Sequence, residues 1–305
     1  MARYLLRRLL HGIVVLWVVV TLTFVLMRIT PGGPFDRERR LPPEVLANIA
    51  AKYHLDEPWS RQYARYLGGI LRGDLGPSYK YLDRSVSDIV VETFPISALL
   101  GILALVFALA FSFPVGICAA YYHNSWTDRW CLLLATLGIS LPHFILGALL
   151  IWLFSVQLGW FQAGRWENLT SVVLPTITLG AAPAAYFFYL LRSTLLETLG
   201  EDFIRTARAK GLKDSAVLFK HALNNSLIPT LTVLGPLAAT LITGSFVVEY
   251  IFAIPGMGRF FITAVTDRDY PLIMGVTLVY TVLLVGANLL VDLCYSLVDP
   301  RIKSH

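Results

Sequence analysis

The sequence predicts an all-α membrane protein with about six transmembrane helices, and three observations predict it. Of the 305 residues, 56% are hydrophobic and 15% charged, where a soluble domain carries roughly 25% charged residues. The mean hydropathy of +0.64 is more than one soluble core can absorb, so the solvent for much of the chain is lipid. The apolar residues also fall in runs of about 20, the length a helix needs to cross a bilayer, and basic residues gather at the ends of those runs.

The first run, Leu9 to Met27, is uncharged and closed by Arg28. It is longer than a signal-peptide core and lacks a small-residue cleavage site, so it is read as a retained span. Thr93 to Thr127 and Trp130 to Gly164 contain no Asp, Glu, Lys or Arg. They form spans two and three, broken at Asp128-Arg129 by a polar, turn-like cluster from His123. Span four is Asn168 to Leu191, with Pro175 and Pro183. Span five is Ala222 to Val248, and span six is Tyr270 to Val291. Internal prolines are tolerated in bundles and make bend points, so spans two, three and four are expected not to be straight.

Basic residues of short loops set orientation. With the N-terminus inside, Arg3, Arg7, Arg8, Arg129, Arg192, Arg205, Arg208, Lys210, Lys213, Lys220, Arg301 and Lys303 are cytoplasmic. Arg165, Arg259 and Arg268 are outside. Twelve against three places both termini in the cytoplasm. The chain then divides into residues 1–28, with the first helix; an outer cap over 29–92; and 93–305, with the other spans and a cytoplasmic loop over 192–226. The net charge of +5 follows from these span-end residues. It marks lipid as the partner, and no nucleic acid. Cys118, Cys131 and Cys294 lie inside apolar runs without metal-ligand spacing and read as small buried hydrophobes. No metal site is expected.

In the outer cap, Pro42-Pro43-Glu44 opens a helix pattern carried by Val45, Leu46, Ile49, Ala50 and Tyr53. Trp59, Tyr63, Tyr66, Leu67, Ile70 and Leu71 form a second amphipathic stripe. Two helices packed on the membrane domain account for this, as does a platform for an external partner.

The loop over 192–226 carries most information. Two short helices flank Gly211, which suits a turn of positive φ or a close contact. Phe203, Ile204 and Ala207 can share one face, with basic residues elsewhere. Such a pair fits a partner's apolar groove with an acidic rim, or a surface of anionic lipid.

The stretch Arg205-Thr206-Ala207-Arg208-Ala209-Lys210-Gly211-Leu212, with His221-Ala222-Leu223 and Ile228-Pro229 beyond, resembles the EAA loop of ABC-importer permeases. Arg205 and Thr206 stand where the general motif has Glu and Ala, and the stretch from Gly211 to Pro229 is longer than in sugar-importer permeases. Both departures are typical of the dipeptide and oligopeptide permease family. Further stretches agree in order: Pro31-Gly32-Gly33-Pro34-Phe35, Leu41-Pro42-Pro43-Glu44, Lys52-Tyr53-His54-Leu55, Gly73-Asp74-Leu75-Gly76-Pro77-Ser78, Glu249-Tyr250-Ile251-Phe252, Ile254-Pro255-Gly256-Met257-Gly258, Asp267-Arg268-Asp269-Tyr270-Pro271 and Val298-Asp299-Pro300-Arg301-Ile302. Across nearly the whole chain, the likeness is closest to the first permease of oligopeptide importers.

The resemblance implies a type I ABC importer permease-like bundle in a bacterial inner membrane. It implies a homologous second permease, two cytoplasmic ATPase subunits and an extracytoplasmic peptide-binding protein. Phe203, Arg205, Thr206, Ala207, Lys210, Gly211 and Leu212 would form the coupling element that docks on an ATPase. The chain has no Gly-Lys dipeptide, hence no phosphate-binding Walker loop, and no His-Glu-x-x-His or Gly-x-Ser-x-Gly. A transport subunit, not an enzyme, is expected, with ATP and Mg bound by partner subunits and no cofactor here.

For the path, Glu249 either lines the outer vestibule or reaches the interface. Pro255, Gly256 and Gly258 form a gate or binding-protein contact, or a structural turn. Asp292 suits an interface position or a basic partner, and His143 a packed or bend-capping role. A proton-coupled secondary transporter is the rival class, but spans one to four hold no Asp or Glu. The same importer type acting on nickel or another small solute is a second alternative. An intramembrane enzyme or an exporter fits less well.

Overall fold

A computed structural model describes the backbone of residues 2–30, 44, 48, 51–81 and 83–298, and the side chains of these except 2–5 and 291–298. The Val45–Ala50 stripe, the Pro31–Phe35 stretch, the Asp299–Ile302 end and the side chains of Asp292 and Cys294 lie outside these residues.

The described residues are helical, apart from loops and one isolated antiparallel bridge between Pro77 and Ser85. The helices are α1 (Ala2–Ile29), α2 (Trp59–Leu71), α3 (Val86–Tyr121), α4 (Trp126–Ser140), α5 (His143–Leu150), α6 (Leu169–Leu199), α7 (Asp202–Ala209), α8 (Leu223–Ile242), α9 (Phe246–Ile251), α10 (Met257–Asp267) and α11 (Tyr270–Val298). Among the described residues, five segments are long and apolar enough to cross a membrane: Leu6–Ile29, Val86–Tyr121, Leu169–Leu199, Asp214–Ile251 and Tyr270–Leu290. The remaining expected span, the third, is divided. α4 and the segment His143–Gln157 meet at 112°. The break has a local cause: Pro142 has no N–H to donate and pushes Leu141 to an extended backbone at φ −82°, ψ 121°. Pro175 and Pro183 sit inside a helix that continues through them. The bend expected of spans two to four is therefore a full break in span three.

Caps mark several starts. Ser125 accepts the Asp128 N–H ahead of α4. Asn168 and Ser171 form a reciprocal capping box on α6. The chain widens into π-helical turns at Ile151–Gln157 and Val217–Ala222, a form often found where function needs an irregular helix.

The chain forms two compact units, Met1–Ile96 with Pro255–Leu289, and Ser97–Ile254 with Leu290–His305. The first packs Val86, Ile89, Met257, Leu272 and Val276 into a buried cluster. Beside it, the buried carboxylate of Asp269 accepts the Ser78 hydroxyl, the N–H groups of Tyr79 and Lys80 at 3.1 and 3.2 Å, and the Leu272 N–H at 3.3 Å. Asp269 thereby caps α11 and holds the loop before α3.

The second unit is built around α6. Ala119, Ala135, Ala185 and Phe188 form one buried cluster, and Ala108, Ala184 and Phe187 another. Small residues dominate because apolar helices in lipid gain by close approach rather than by leaving water. At Gly101 the backbones meet: a Cβ there would run into the backbone carbonyl of Leu241 on α8. Cys118 and Cys131 are free thiols, half-buried in this unit.

Candidate functional site

The loop around Gly211 is two short helices joined by a defined turn. α7 ends in a Schellman arrangement: the Gly211 N–H donates to Arg208 O at 2.9 Å and the Leu212 N–H to Ala207 O at 3.4 Å. That closure requires a left-handed residue, and Gly211 has φ +77°. Nothing lies within 4 Å of where its Cβ would stand, so conformation rather than crowding selects glycine. Lys213 then returns to extended backbone and starts the next helix at Asp214.

Ile204 and Ala207, at 0% and 7% exposure, pack with Leu195, Ala120, Val217, Leu218 and Ala222. Phe203 does not share this face; it is 42% exposed. The shared face expected for the three residues therefore holds for Ile204 and Ala207 alone. Residues three apart cover one stripe against α3 and α6, and Phe203 falls beside it. Phe203, Leu212 and Phe219 are exposed, among Arg205, Thr206, Lys210 and Lys213, which are exposed as well. Arg205 pairs with Asp202 at 3.3 Å, and Arg208 with Asp214 at 3.6 Å. Exposed pairs of this kind stabilise little.

The inner face of the loop is tied to the long helices. Thr194 Oγ1 donates to Ser226 O at 3.1 Å, and Ser226 Oγ donates to Thr198 Oγ1 at 3.0 Å, joining α6 to α8. Near the same end of α6, Arg192 binds Asp128 of α4 through two bonds of 2.7 Å. Asp128 is 2% exposed and also accepts the Asn124 N–H at 3.0 Å. Sequence reasoning used Asp128 as a loop marker and Arg192 as a topology charge, and missed their pairing. The available signal was an acid in the first turn of one span and a lone arginine near the end of the next.

Glu249 sits in α9 at 0% exposure. Its carboxylate accepts the Ser245 N–H at 3.3 Å. Both positions expected for it, an outer vestibule and the interface, presume an exposed side chain, and here it is enclosed. Gly256 starts α10 with extended backbone at φ −94°, and Gly256 and Gly258 are buried while Pro255 is half-buried.

A cavity of about 510 Å³ opens in the second unit, lined by His143, Tyr186, Leu237, Thr240 and Ser245 among others. His143 begins α5, and its Nδ1 lies 3.0 Å from Thr178 O of α6, a packing contact between the two helices. Tyr186 and Thr240 were not singled out from the sequence, since neither carries charge.

A family model described as "Binding-protein-dependent transport system inner membrane component" matches residues 112–304. A second, described as "Binding-prot-dependent transport system membrane comp, N-term", matches residues 1–101. The chain is 47% identical over 305 residues to the dipeptide transport system permease protein DppB of Bacillus subtilis, covering 100% of this chain and 99% of that one. It is 41% identical to the oligopeptide transport system permease protein OppB of Haemophilus influenzae and 40% identical to OppB of Escherichia coli K12, over 99% of this chain and 100% of each relative. A solved chain of the inward-facing MetNI methionine ABC transporter shares the fold, with a TM-score of 0.55, 18% identity, and coverage of 69% of this chain and 96% of that one. Permeases of this kind work with ATP-hydrolysing and substrate-binding partners. Two matched models that together span nearly the whole sequence, and relatives aligned end to end, make this chain a member of the binding-protein-dependent inner membrane component family: a multi-pass transport subunit and not an enzyme.

Proposed function

We propose that this chain forms one half of the translocation path of an ATP-driven importer of dipeptides or oligopeptides, and that its Gly211 loop receives the force. The observation that carries the coupling role is the division of α7: Ile204 and Ala207 are locked to α3 and α6, while Phe203 and Leu212 are exposed beside basic residues. An element anchored inward and unpartnered outward can move the long helices when a partner closes on it. That is a two-state device biased by nucleotide. The peptide substrate is argued from the full-length relatives, whose names specify dipeptide and oligopeptide transport.

The complete assembly pairs this chain with a homologous second permease, two cytoplasmic ATPases that bind ATP and Mg, and an extracytoplasmic peptide-binding protein. Both termini and the 192–226 loop face the cytoplasm in this reading, which the excess of basic residues in those segments supports. The cavity at His143, Tyr186 and Thr240 is a stretch of the path. Glu249, Pro255, Gly256 and Gly258 support the outer gate as packed structure and not as substrate contacts.

The test is uptake in proteoliposomes carrying the co-purified complex. Labelled dipeptides and oligopeptides are expected to enter only with ATP and the binding protein. Uptake that proceeds without ATP and stops when a proton gradient collapses would overturn the energy source. Uptake of nickel or another solute in place of peptides would overturn the substrate.

A further inference from the structure

Arg28, in the last turn of α1, has no hydrogen-bonded anion among the described residues. Its Nε and Nη2 donate to Gln62 Oε1 at 3.1 and 2.5 Å. Its guanidinium lies 4.2 Å above the Phe24 ring. Both partners are neutral. Gln62 is itself pinned: it is buried, and its amide nitrogen donates to the carbonyls of Leu55 and Glu57 at 3.2 and 2.8 Å. The guanidinium is thus held in one orientation, and its remaining nitrogen, Nη1, is buried with no hydrogen-bond partner.

The Tyr66 hydroxyl on α2 is in the same condition, buried and without a partner. Arg28 and Tyr66 line one cavity of about 560 Å³ in the first unit. The other charged side chains on its wall are accounted for or lean the same way. Arg65 and His54 face Glu57 at 2.8 and 3.3 Å. Asp74, the one carboxylate among the described residues of the wall, accepts the Gly76 N–H at 2.9 Å, and Arg72 adds a third guanidinium. Arg28 is half-buried, and a charge partly withdrawn from water and held by neutral groups alone is costly. Water can satisfy the bare donors but does not balance the charge.

We propose that this cavity is an oxyanion site in which Arg28 Nη1 and the Tyr66 hydroxyl hold a phosphate or carboxylate, a phospholipid headgroup being its usual source. The lipid source follows from position. Arg28 ends a span whose Leu22, Leu26 and Ile29 are exposed, where apolar chains give way to headgroups. The proposal stands whichever leaflet that is, and independently of the transported solute.

The experiment uses the complex purified with its partner subunits, as wild type, Arg28→Gln and Tyr66→Phe. Native mass spectrometry reads retained phosphatidylglycerol, and phenylglyoxal labelling of Arg28 in delipidated wild type and Tyr66→Phe reads protection by inorganic phosphate. Phosphatidylglycerol held by wild type and bound roughly tenfold or more weaker by both variants supports the lipid source. Phosphate that shields Arg28, less well in Tyr66→Phe, without retained lipid, supports the same site filled from water. Tyr66→Phe removes only a hydroxyl and guards against misfolding of the arginine variant. Neither lipid retention nor phosphate protection, or binding unchanged in both variants, would overturn the site and leave a hydrated cavity.

Discussion

Arg192 and Asp128, 64 positions apart in sequence, are joined by two parallel hydrogen bonds of 2.7 Å that fasten the start of α4 to α6. Asp128 is almost fully enclosed, and Arg192 is mostly so. Both bonds are charge-assisted and share the planar geometry of a guanidinium with a carboxylate. Removing one partner strands a charge. Asp128→Ala is expected to destabilise the membrane domain by about 3 kcal/mol, read as a lower Tm in detergent. Asp128→Leu combined with Arg192→Met should recover much of that loss. Equal losses for single and double variants would show that the pair is not a coupled unit.

Gly211→Val places a β-branched residue at φ +77°. The conformation costs about 1–2 kcal/mol, enough to deform the turn without unfolding the helices behind it. The expected result is peptide uptake lowered about tenfold with Tm nearly unchanged. Gly211→Asn, which tolerates the left-handed region, should keep most uptake. Full uptake by the valine variant would remove the coupling role.

Asp269→Asn keeps the size of the side chain but replaces an acceptor with a donor. One of its bonds to Ser78, Tyr79, Lys80 or Leu272 then meets an N–H group. A loss of about 2–3 kcal/mol is expected. Limited proteolysis between Leu71 and Val86 should speed up with it; an unchanged cleavage rate would mean that the carboxylate does not hold that loop.

Gly101→Leu drives a side chain into the Leu241 carbonyl. Backbone cannot yield as a flexible side chain does, and overpacking of this kind costs about 1–3 kcal/mol or more. Gly286→Ala, on a glycine with open space around it, is the control. A Tm drop shared by both would not report the Leu241 contact, since both substitutions raise helix propensity.

Burial pushes the Tyr79 phenol from its ordinary value of 10 up to about 12, with Arg28 acting weakly in the other direction. The folded state favours the neutral phenol. Its contribution is complete below pH 10 and is lost as the pH climbs through 10 towards 12. Comparing tyrosinate absorbance of wild type and Tyr79→Phe, the missing amplitude should have a midpoint well above 10. A midpoint at 10 would contradict the burial.

Local chemistry made much of the architecture legible. Uncharged runs set the positions of the spans, because a helix in lipid must be apolar for its whole length. Gly211 between two short helices was legible for the same kind of reason: a Schellman closure needs a left-handed residue, and that demand falls on one position. The helix at Trp59–Leu71 follows from its amphipathic stripe.

Tertiary contact decided the rest. Pro142 announces a bend, but the 112° between the two halves of span three depends on what each half packs against. Composition suggests that Phe203 belongs with Ile204 and Ala207; packing against Leu195 and Val217 buries the last two and leaves the phenylalanine exposed. Glu249 reads as a vestibule or interface charge in sequence and is enclosed in the fold. Asp128 finds Arg192, and Arg28 finds Gln62, across separations that no local pattern encodes. Span positions and turn types respond to neighbours within a few residues, so one strand of text suffices for them. The fate of a buried charge is set by whichever distant helix the whole chain brings against it.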